Sequence, residues 1–263
     1  MIVFYQIMKP KQGTLILNKK RGETPLECLK RFKIENPEYE DEKMTYAGRL
    51  DPLAEGLLLV LYGNECKNKE KYLKLDKEYV VEILLGFSTD AGDVMGIVEE
   101  KKSGAFEYLS KMTKKDIQEK LKVLQGIQIQ KYPKFSSKTI NGKPLFELAK
   151  EGKLEGKKMP EKEIDLKSIE VISLGMISKK FLSDFAYNSI NSVKGDFRQN
   201  LSIISWENNL PQFEDQMLPT ITIKVVCSSG SYMRVLAHRI GDLLGFPALA
   251  MKIRRNRVGE YKL

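Results

Sequence analysis

Residues 48–56 read Gly-Arg-Leu-Asp-Pro-Leu-Ala-Glu-Gly and hold one carboxylate, Asp51, in an aperiodic loop directly before the apolar run Leu57 to Tyr62. A loop anchored to a buried strand is a common seat for a catalytic group. An ionised carboxylate there can work as a general base or a nucleophile. By spacing alone a second reading also fits: Asp51 caps the turn made by Pro52 to Ala54. Other chemistries are thinly supplied. His238 is the only histidine, and the three cysteines, Cys28, Cys66 and Cys227, are scattered. That composition leaves no two-histidine zinc centre, no CxxC site and no obvious Cys/His nucleophile pair. GxGxxG and GxxxxGK[ST] loops are also missing. Carboxylates, tyrosines and basic groups must then do any chemistry, and no metal or cofactor is expected.

The elements that would position Asp51 follow from local pattern. Thr14 to Leu17 alternates weakly as a strand, and Thr24-Pro25-Leu26-Glu27 has capping-box spacing with Pro at the first helical position, predicting a helix over 25–32. The polar, acidic stretch 35–43 reads as a surface loop, and 44–56 shows neither helical nor strand periodicity. Gly56 to Gly63 is a buried strand, and 78–85 with 97–99 reads as two strands joined by a structured loop. Thr113 as N-cap, with Ile117, Leu121 and Leu124, predicts a helix over 113–124, and a shorter one covers 145–149. Residues 152–163 form a Lys/Glu-rich linker. Period-2 patterns mark strands over 164–174 and 220–227, and the stripe Met233, Leu236, Ala237, Ile240, Leu244 before Gly245 marks a helix over 231–244. Between the last two strands, 175–218 has no firm period but contains Phe181, Phe185, Tyr187, Phe197 and Trp206, so it reads as an insertion with partial structure of its own. The mixture without strict βαβ alternation predicts an α+β fold with a mostly antiparallel sheet flanked by helices.

Composition sets the setting. Within 263 residues, 42% hydrophobic and 30% charged, one sizeable core can be buried. The net charge of +9 favours a polyanionic partner, nucleic acid or an anionic membrane surface, although lysine-rich surfaces also serve solubility. The opening MIVFYQIM lacks the basic region and cleavage site of a signal peptide, and no apolar run approaches the ~18 residues of a membrane span. Few, unpaired cysteines suit a reducing, cytoplasmic location.

The loop GRLDPLAEG, preceded by Thr45-Tyr46-Ala47, resembles the catalytic loop of TruB-type tRNA pseudouridine synthases, whose pattern is approximately GxLDPxAxG. Further matches follow in the family's order. Lys77-Glu78-Tyr79 is similar to its K-x-Y strand, and Thr89-Asp90 with Asp93 and Gly96 to its TDxxDxxG turn. PKFSSKTINGKPL at 133–145 is similar to PxYSAxKxxGxxL, and Gly230 to Arg234 with Ile240-Gly241 to GTYIRxLxxxLG. Arg254-Arg255 falls where the family has a closing pair of arginines. The resemblance implies a pseudouridine synthase fold and isomerisation of a uridine to its C5-linked form, without redox equivalents, metal or cofactor. It makes Asp51 the essential carboxylate, attacking base or sugar or assisting glycal formation. Arg234 would hold Asp51 by a charge-assisted hydrogen bond, and Tyr79 would stack on the displaced base and could move a proton. Taken without the resemblance, Arg234 also reads as a solvated helix arginine and Tyr79 as a core or edge-strand tyrosine. Substrate contacts would come from Lys19, Lys20, Tyr46, Arg49, Leu50, Tyr232, Arg254 and Arg255, with Arg21, Lys138, Lys143 and Lys252 as further phosphate candidates.

The departures bear on target choice. Lys19-Lys20-Arg21-Gly22 lacks the proline of the family's K-P-x-G, and Tyr46 stands where bacterial relatives usually carry a histidine that helps extrude the base. A tyrosine ring could still wedge into a stack. The expected organisation is one catalytic domain over 1–263, carrying the 175–218 insertion and no C-terminal PUA-type domain. The insertion is expected either to supply RNA contact or to form a lid over an exposed sheet edge. The expected activity is conversion of the T-loop uridine of tRNA (position 55) by a monomer that engages the T-arm and no membrane. The alternatives are the same isomerase on another structured RNA, or a non-catalytic RNA-binding or RNA-folding protein.

Overall fold

The computed structural model describes residues 12–213 and 217–263. The opening apolar octet, and residues 214–216 of the expected insertion, lie outside the described residues. Strand β1 (Gly13–Lys19) leads into helix α1 (Pro25–Glu35), whose start is the expected capping box: the Glu27 amide donates to Thr24 Oγ1 and the Thr24 amide to the Glu27 carboxylate. Met44–Tyr46 (β2) is a short strand paired with β3 (Glu55–Tyr62), although its sequence carries no strand period. A short helix α2 (Lys69–Leu73) precedes β4 (Lys77–Leu85).

Gly86 turns the chain out of β4 into β5 (Phe87–Thr89), and β6 (Val98–Lys101) pairs with β5. The two strands read at 78–85 and 97–99 are present but do not pair with each other: the turn-rich segment between them folds back as a two-stranded ribbon of β5 and β6. Next come α3 (Ala105–Ser110) and α4 (Lys114–Leu121), the latter started by a second capping box between Thr113 and Asp116, then β7 (Gly126–Lys131), the tiny hairpin β8 (Thr139–Ile140) and β9 (Lys143–Pro144), and α5 (Leu145–Lys150). Strand β10 (Glu161–Ser178) starts inside the expected linker and runs into the expected insertion. The rest of that insertion is α6 (Lys179–Asn191) and α7 (Gln199–Asn209), and β11 (Met217–Cys227) completes it. Helix α8 (Met233–Leu244), stopped by Gly245 at φ 81°, precedes β12 (Ala248–Val258) and β13 (Tyr261–Lys262).

Among the described residues the main sheet is nine-stranded, in the order β1-β3-β12-β4-β11-β10-β7, with β2 on β3 and β13 on β12. Its ladders are antiparallel except for β12 on β3, where Arg254 and Arg255 lie opposite Glu55 and Gly56. This mixed, mostly antiparallel sheet with helices is the α+β architecture the pattern predicts.

Strand alternation sorts side chains onto two cores. Tyr79, Val81, Ile83 and Leu85 of β4 face α8, α3 and α4, while Leu84 faces α6 and α7 together with Leu218, Leu249 and Met251. The α6–α7 hairpin therefore covers a sheet face, not a sheet edge. Leu182, Ala186 and Ile190 of α6 and Trp206 of α7 are buried there, each large apolar side chain contributing roughly 1.5–3 kcal/mol relative to exposure. No helix among the described residues is long and apolar enough to cross a membrane.

Candidate active site

The loop carrying Asp51 is fixed by two buried cations. Lys19, fully buried at the end of β1, donates from Nζ to the carbonyls of Lys20 (3.0 Å), Pro52 (3.3 Å) and Ala54 (2.5 Å). Arg255 of β12, 1% exposed, donates from Nε to Leu57 O (2.8 Å), from Nη2 to Gly48 O (3.2 Å) and from Nη1 to Arg49 O (3.4 Å). Burial pulls the Lys19 ammonium down to about 8, against the pull of Glu23. Lys19, fully buried, thus has no surface to offer the expected phosphate contact, whereas Arg255 holds loop carbonyls and also lines the cleft beside Asp51.

With the loop so held, the turn closes through its backbone, the Ala54 amide donating to Asp51 O at 3.0 Å. The Asp51 side chain is thereby free of the capping role and turns to Arg234 at the start of α8. Arg234 Nε and Nη2 both lie 2.8 Å from Asp51 Oδ2. Arg234 is 4% exposed, and both its terminal nitrogens also meet backbone: Nη1 donates to Ala91 O (2.7 Å) and Nη2 to Phe135 O (2.9 Å). A second carboxylate, Asp93, stands 3.8 Å from Nε. Burial alone would lower the guanidinium's pKa, but the Asp51 and Asp93 charges outweigh it and raise it. For Asp93, burial dominates over Arg234 and pushes the carboxyl up to about 6.

Around this pair lies a cleft of about 530 Å³ lined by Leu50, Asp51, Tyr79, Tyr232, Ile253 and Arg255, among others. Tyr79 of β4 is 8% exposed and sits opposite Arg255 in the β4–β12 register. Burial raises its phenol, with Arg255 opposing. Tyr232 is pushed up to about 12, mainly by burial and then by Asp51. Both are hydroxyl donors at neutral pH. The cleft thus offers an oriented carboxylate, an apolar floor of Leu50 and Ile253, and two protonated phenols. That combination suits holding a flat ring while a proton and a bond are exchanged beside Asp51.

Not every expected residue reaches the cleft. Asp51, Tyr79, Arg234, Leu50, Tyr232, Arg49 and Arg255 line it, the exposed Arg49 donating to Ser137 Oγ (2.5 Å). Tyr46 packs instead against the β1–α1 cluster, with Lys69 Nζ 5.6 Å above its ring. Lys20 is exposed on the turn beside the loop, and Arg254 is exposed and paired with Glu55 at 3.3 Å. Of the further phosphate candidates, Lys143 pairs with Glu151 and Lys252 with Glu82, while Arg21 and Lys138 lie over the rings of Phe185 and Tyr132.

Other contributors were not among the expected site residues, although Asp93 and Lys77 stand in the matched TDxxDxxG and K-x-Y stretches. Asp93 was visible only as a turn residue. Lys77, buried in the cleft wall and lowered to about 8 by burial, donates to Leu73 O and Leu75 O. Lys162 of β10 also lines the cleft and donates to Ser229 O at 2.7 Å.

The TruB family pseudouridylate synthase (N terminal domain) profile matches residues 36–187. The tRNA pseudouridine synthase B of Listeria monocytogenes is 30% identical over 250 residues, covering 95% of this chain and 67% of that protein. That of Bacillus pumilus is 32% identical over 252 residues, covering 95% and 66%. That of Endomicrobium trichonymphae is 29% identical over 251 residues, covering 95% and 86%. Among solved structures, a chain of a Cbf5-Nop10-Gar1 complex superposes with a TM-score of 0.57 at 20% identity, covering 96% of this chain and 50% of that one. A chain of an archaeal box H/ACA sRNP Nop10-Cbf5 complex gives 0.53 at 19%, covering 96% and 49%. Those two likenesses concern the fold, and this chain spans about half the length of either. The sequence match, which takes in the Asp51 loop and the turn bearing Asp93, carries the assignment: the chain belongs to the TruB family of pseudouridylate synthases.

Proposed function

We propose that this protein converts a uridine of tRNA to pseudouridine, with Asp51 as the essential carboxylate and the T-loop uridine as its target. The observation that carries the reading is the Asp51–Arg234 pair: a carboxylate held on one oxygen by a buried guanidinium, both lining a cleft of about 530 Å³. In the reaction the bond between ribose C1′ and uracil N1 breaks, the uracil turns, and C1′ joins C5. The C5 hydrogen leaves as a proton and N1 gains one, so atoms and electrons balance without a co-reactant. Asp51 serves this either by adding to the base or sugar or by taking a proton from the sugar. Its carboxylate form is required in each case, and Arg234 holds that carboxylate in place through Nε and Nη2 on Oδ2.

The uridine must leave its stack to reach the cleft, at a cost of a few kcal/mol that phosphate contacts offset. Lys20, Arg49 and Arg254, exposed around the Asp51 loop, would make those contacts with the T-arm.

Unmodified tRNA transcripts labelled with tritium at uracil C5 test the proposal. Label should be released by the protein, and the release should vanish when the T-loop uridine is replaced by cytidine. No release from any tRNA would overturn the activity, and undiminished release from the cytidine transcript would overturn the target.

A further inference from the structure

Helices α6 and α7 are joined by a link, residues 192–198, that ends at Arg198 beside Asp90 and Phe135. We infer that Arg198 is a positioning residue for the isomerisation, because its guanidinium clamps together the two backbone segments whose carbonyls hold Arg234. Its Nη1 donates to Asp90 Oδ2 (2.6 Å) and its Nη2 to Asp90 Oδ1 (3.1 Å), a two-pronged pair with side chains only 18% and 15% exposed. The guanidinium carbon lies 4.1 Å from the centroid of the Phe135 ring. Asp90 immediately precedes Ala91, whose carbonyl accepts from Arg234 Nη1, and Phe135 itself supplies the carbonyl that accepts from Nη2. Through one side chain the link thus touches both supports of the arginine that orients Asp51.

The placement has a conformational cost. Arg198 has φ 60°, left-handed and uncommon for a residue with a side chain, which costs about 1–3 kcal/mol and persists where surrounding contacts fix it. Those contacts are present: the Arg198 amide donates to Asp196 Oδ1 (3.1 Å), and Lys150 pairs with the same Asp196. Two further ties fasten α7 to the turn that carries Asp90, Ala91 and Asp93. Trp206 Nε1 donates to Val94 O (2.9 Å), and the Val98 amide donates to Ser205 Oγ (3.0 Å). With both terminal nitrogens on Asp90 and a ring against its face, Arg198 is occupied internally, so its effect falls on the geometry of the site and not on RNA affinity.

The test rests on the proposed activity but separates from it. Conversion is followed under single turnover with saturating protein, together with RNA affinity and thermal unfolding, for the unaltered protein, Arg198→Met, Arg198→Lys, Asp90→Asn and the Arg198→Met/Asp90→Asn pair. Arg198→Met should slow conversion about tenfold to a hundredfold with affinity unchanged, as misplacement of a catalytic group does. Arg198→Lys, which keeps the charge but neither the fork nor the stack, should recover only part. The double variant should be no slower than Asp90→Asn alone. Should Arg198→Met fail to fold, Phe135→Leu, which keeps the carbonyl and removes the ring, must slow conversion in its place. Independently of activity, solvent exchange of the Arg234 Nε–H, read by NMR on arginine-labelled protein, should quicken in the folded Arg198 variants. Unchanged conversion with unchanged exchange would overturn the inference, as would weakened affinity with an unchanged saturated rate, or losses that multiply in the double variant. An unaltered protein that makes no pseudouridine would instead overturn the proposed function, leaving the exchange measurement to decide the role of Arg198.

Discussion

A Cβ added at Gly56 would stand 2.4 Å from the carbonyl oxygen of Arg255. Gly56 ends the Asp51 loop, and Arg255 is its parallel partner on β12 as well as the donor to Gly48 O, Arg49 O and Leu57 O. The close approach lets the arginine reach these carbonyls. With φ 100° at Gly56, the conformation itself also disfavours a side chain. Gly56→Ala should cost about 2–4 kcal/mol, from strain and from forcing the strands apart. Urea unfolding measures it, and a loss within 0.5 kcal/mol would contradict the close contact.

Lys19→Met keeps most of the stem volume and removes the ammonium shared by three carbonyls. Left buried without that donor, Pro52 O and Ala54 O lose charge-assisted bonds, and stability should fall by about 2–4 kcal/mol. Conversion should slow as the loop loosens, while the salt dependence of RNA binding stays as it was. A reduced salt slope would restore Lys19 as a phosphate contact.

Asp93 gives a pH signature with a definite sign. Its carboxyl is ordinary, at 3.8, in the unfolded chain and is raised to about 6 by burial in the folded one. Below about 3.8 both states hold the proton. Between there and about 6 the folded state keeps a proton that the unfolded state has released, so this group's contribution to stability falls as pH rises, and the penalty is complete above about 6. Asp93→Asn removes that penalty. The stability of the variant relative to the unaltered protein should therefore be more favourable at pH 7 than at pH 4. Parallel unfolding curves across that range would contradict it.

Tyr79 separates ring from hydroxyl. Tyr79→Leu should slow single-turnover conversion by roughly tenfold to a hundredfold, the worth of one stacked base, and Tyr79→Phe by less. Equal losses would make the hydroxyl, and not the ring, the useful part.

How much of this was legible in the sequence depends on range. The capping boxes at Thr24/Glu27 and Thr113/Asp116 need only residues three apart, and both formed as expected. Asp51 was marked by the glycines and proline around it, and β11 by Ile221, Ile223 and Val225. Helix α6 had its stripe of Leu182, Ala186 and Ile190, but Phe181 and Tyr187, which are exposed, blurred it. Helix α7 mixes exposed Leu201 and Ile204 with buried Trp206, so no period stood out. Charge misled at Lys19, because cations are ordinarily solvated and nothing local says that a loop's carbonyls will surround this one. The clamp from Arg198 to Asp90 joins residues 108 positions apart, and only the folded chain brings them together.

The account turns on Asp51, and Asp51→Asn under single turnover on tRNA tests it most directly. Asparagine keeps the shape and removes the charge that meets Arg234, so the variant should fold and bind tRNA with the affinity of the unaltered protein. It should form no pseudouridine, a loss of about 10⁴-fold or more, in line with the removal of a group on which a reaction turns. Conversion by the folded variant within about tenfold of the unaltered rate would contradict the account.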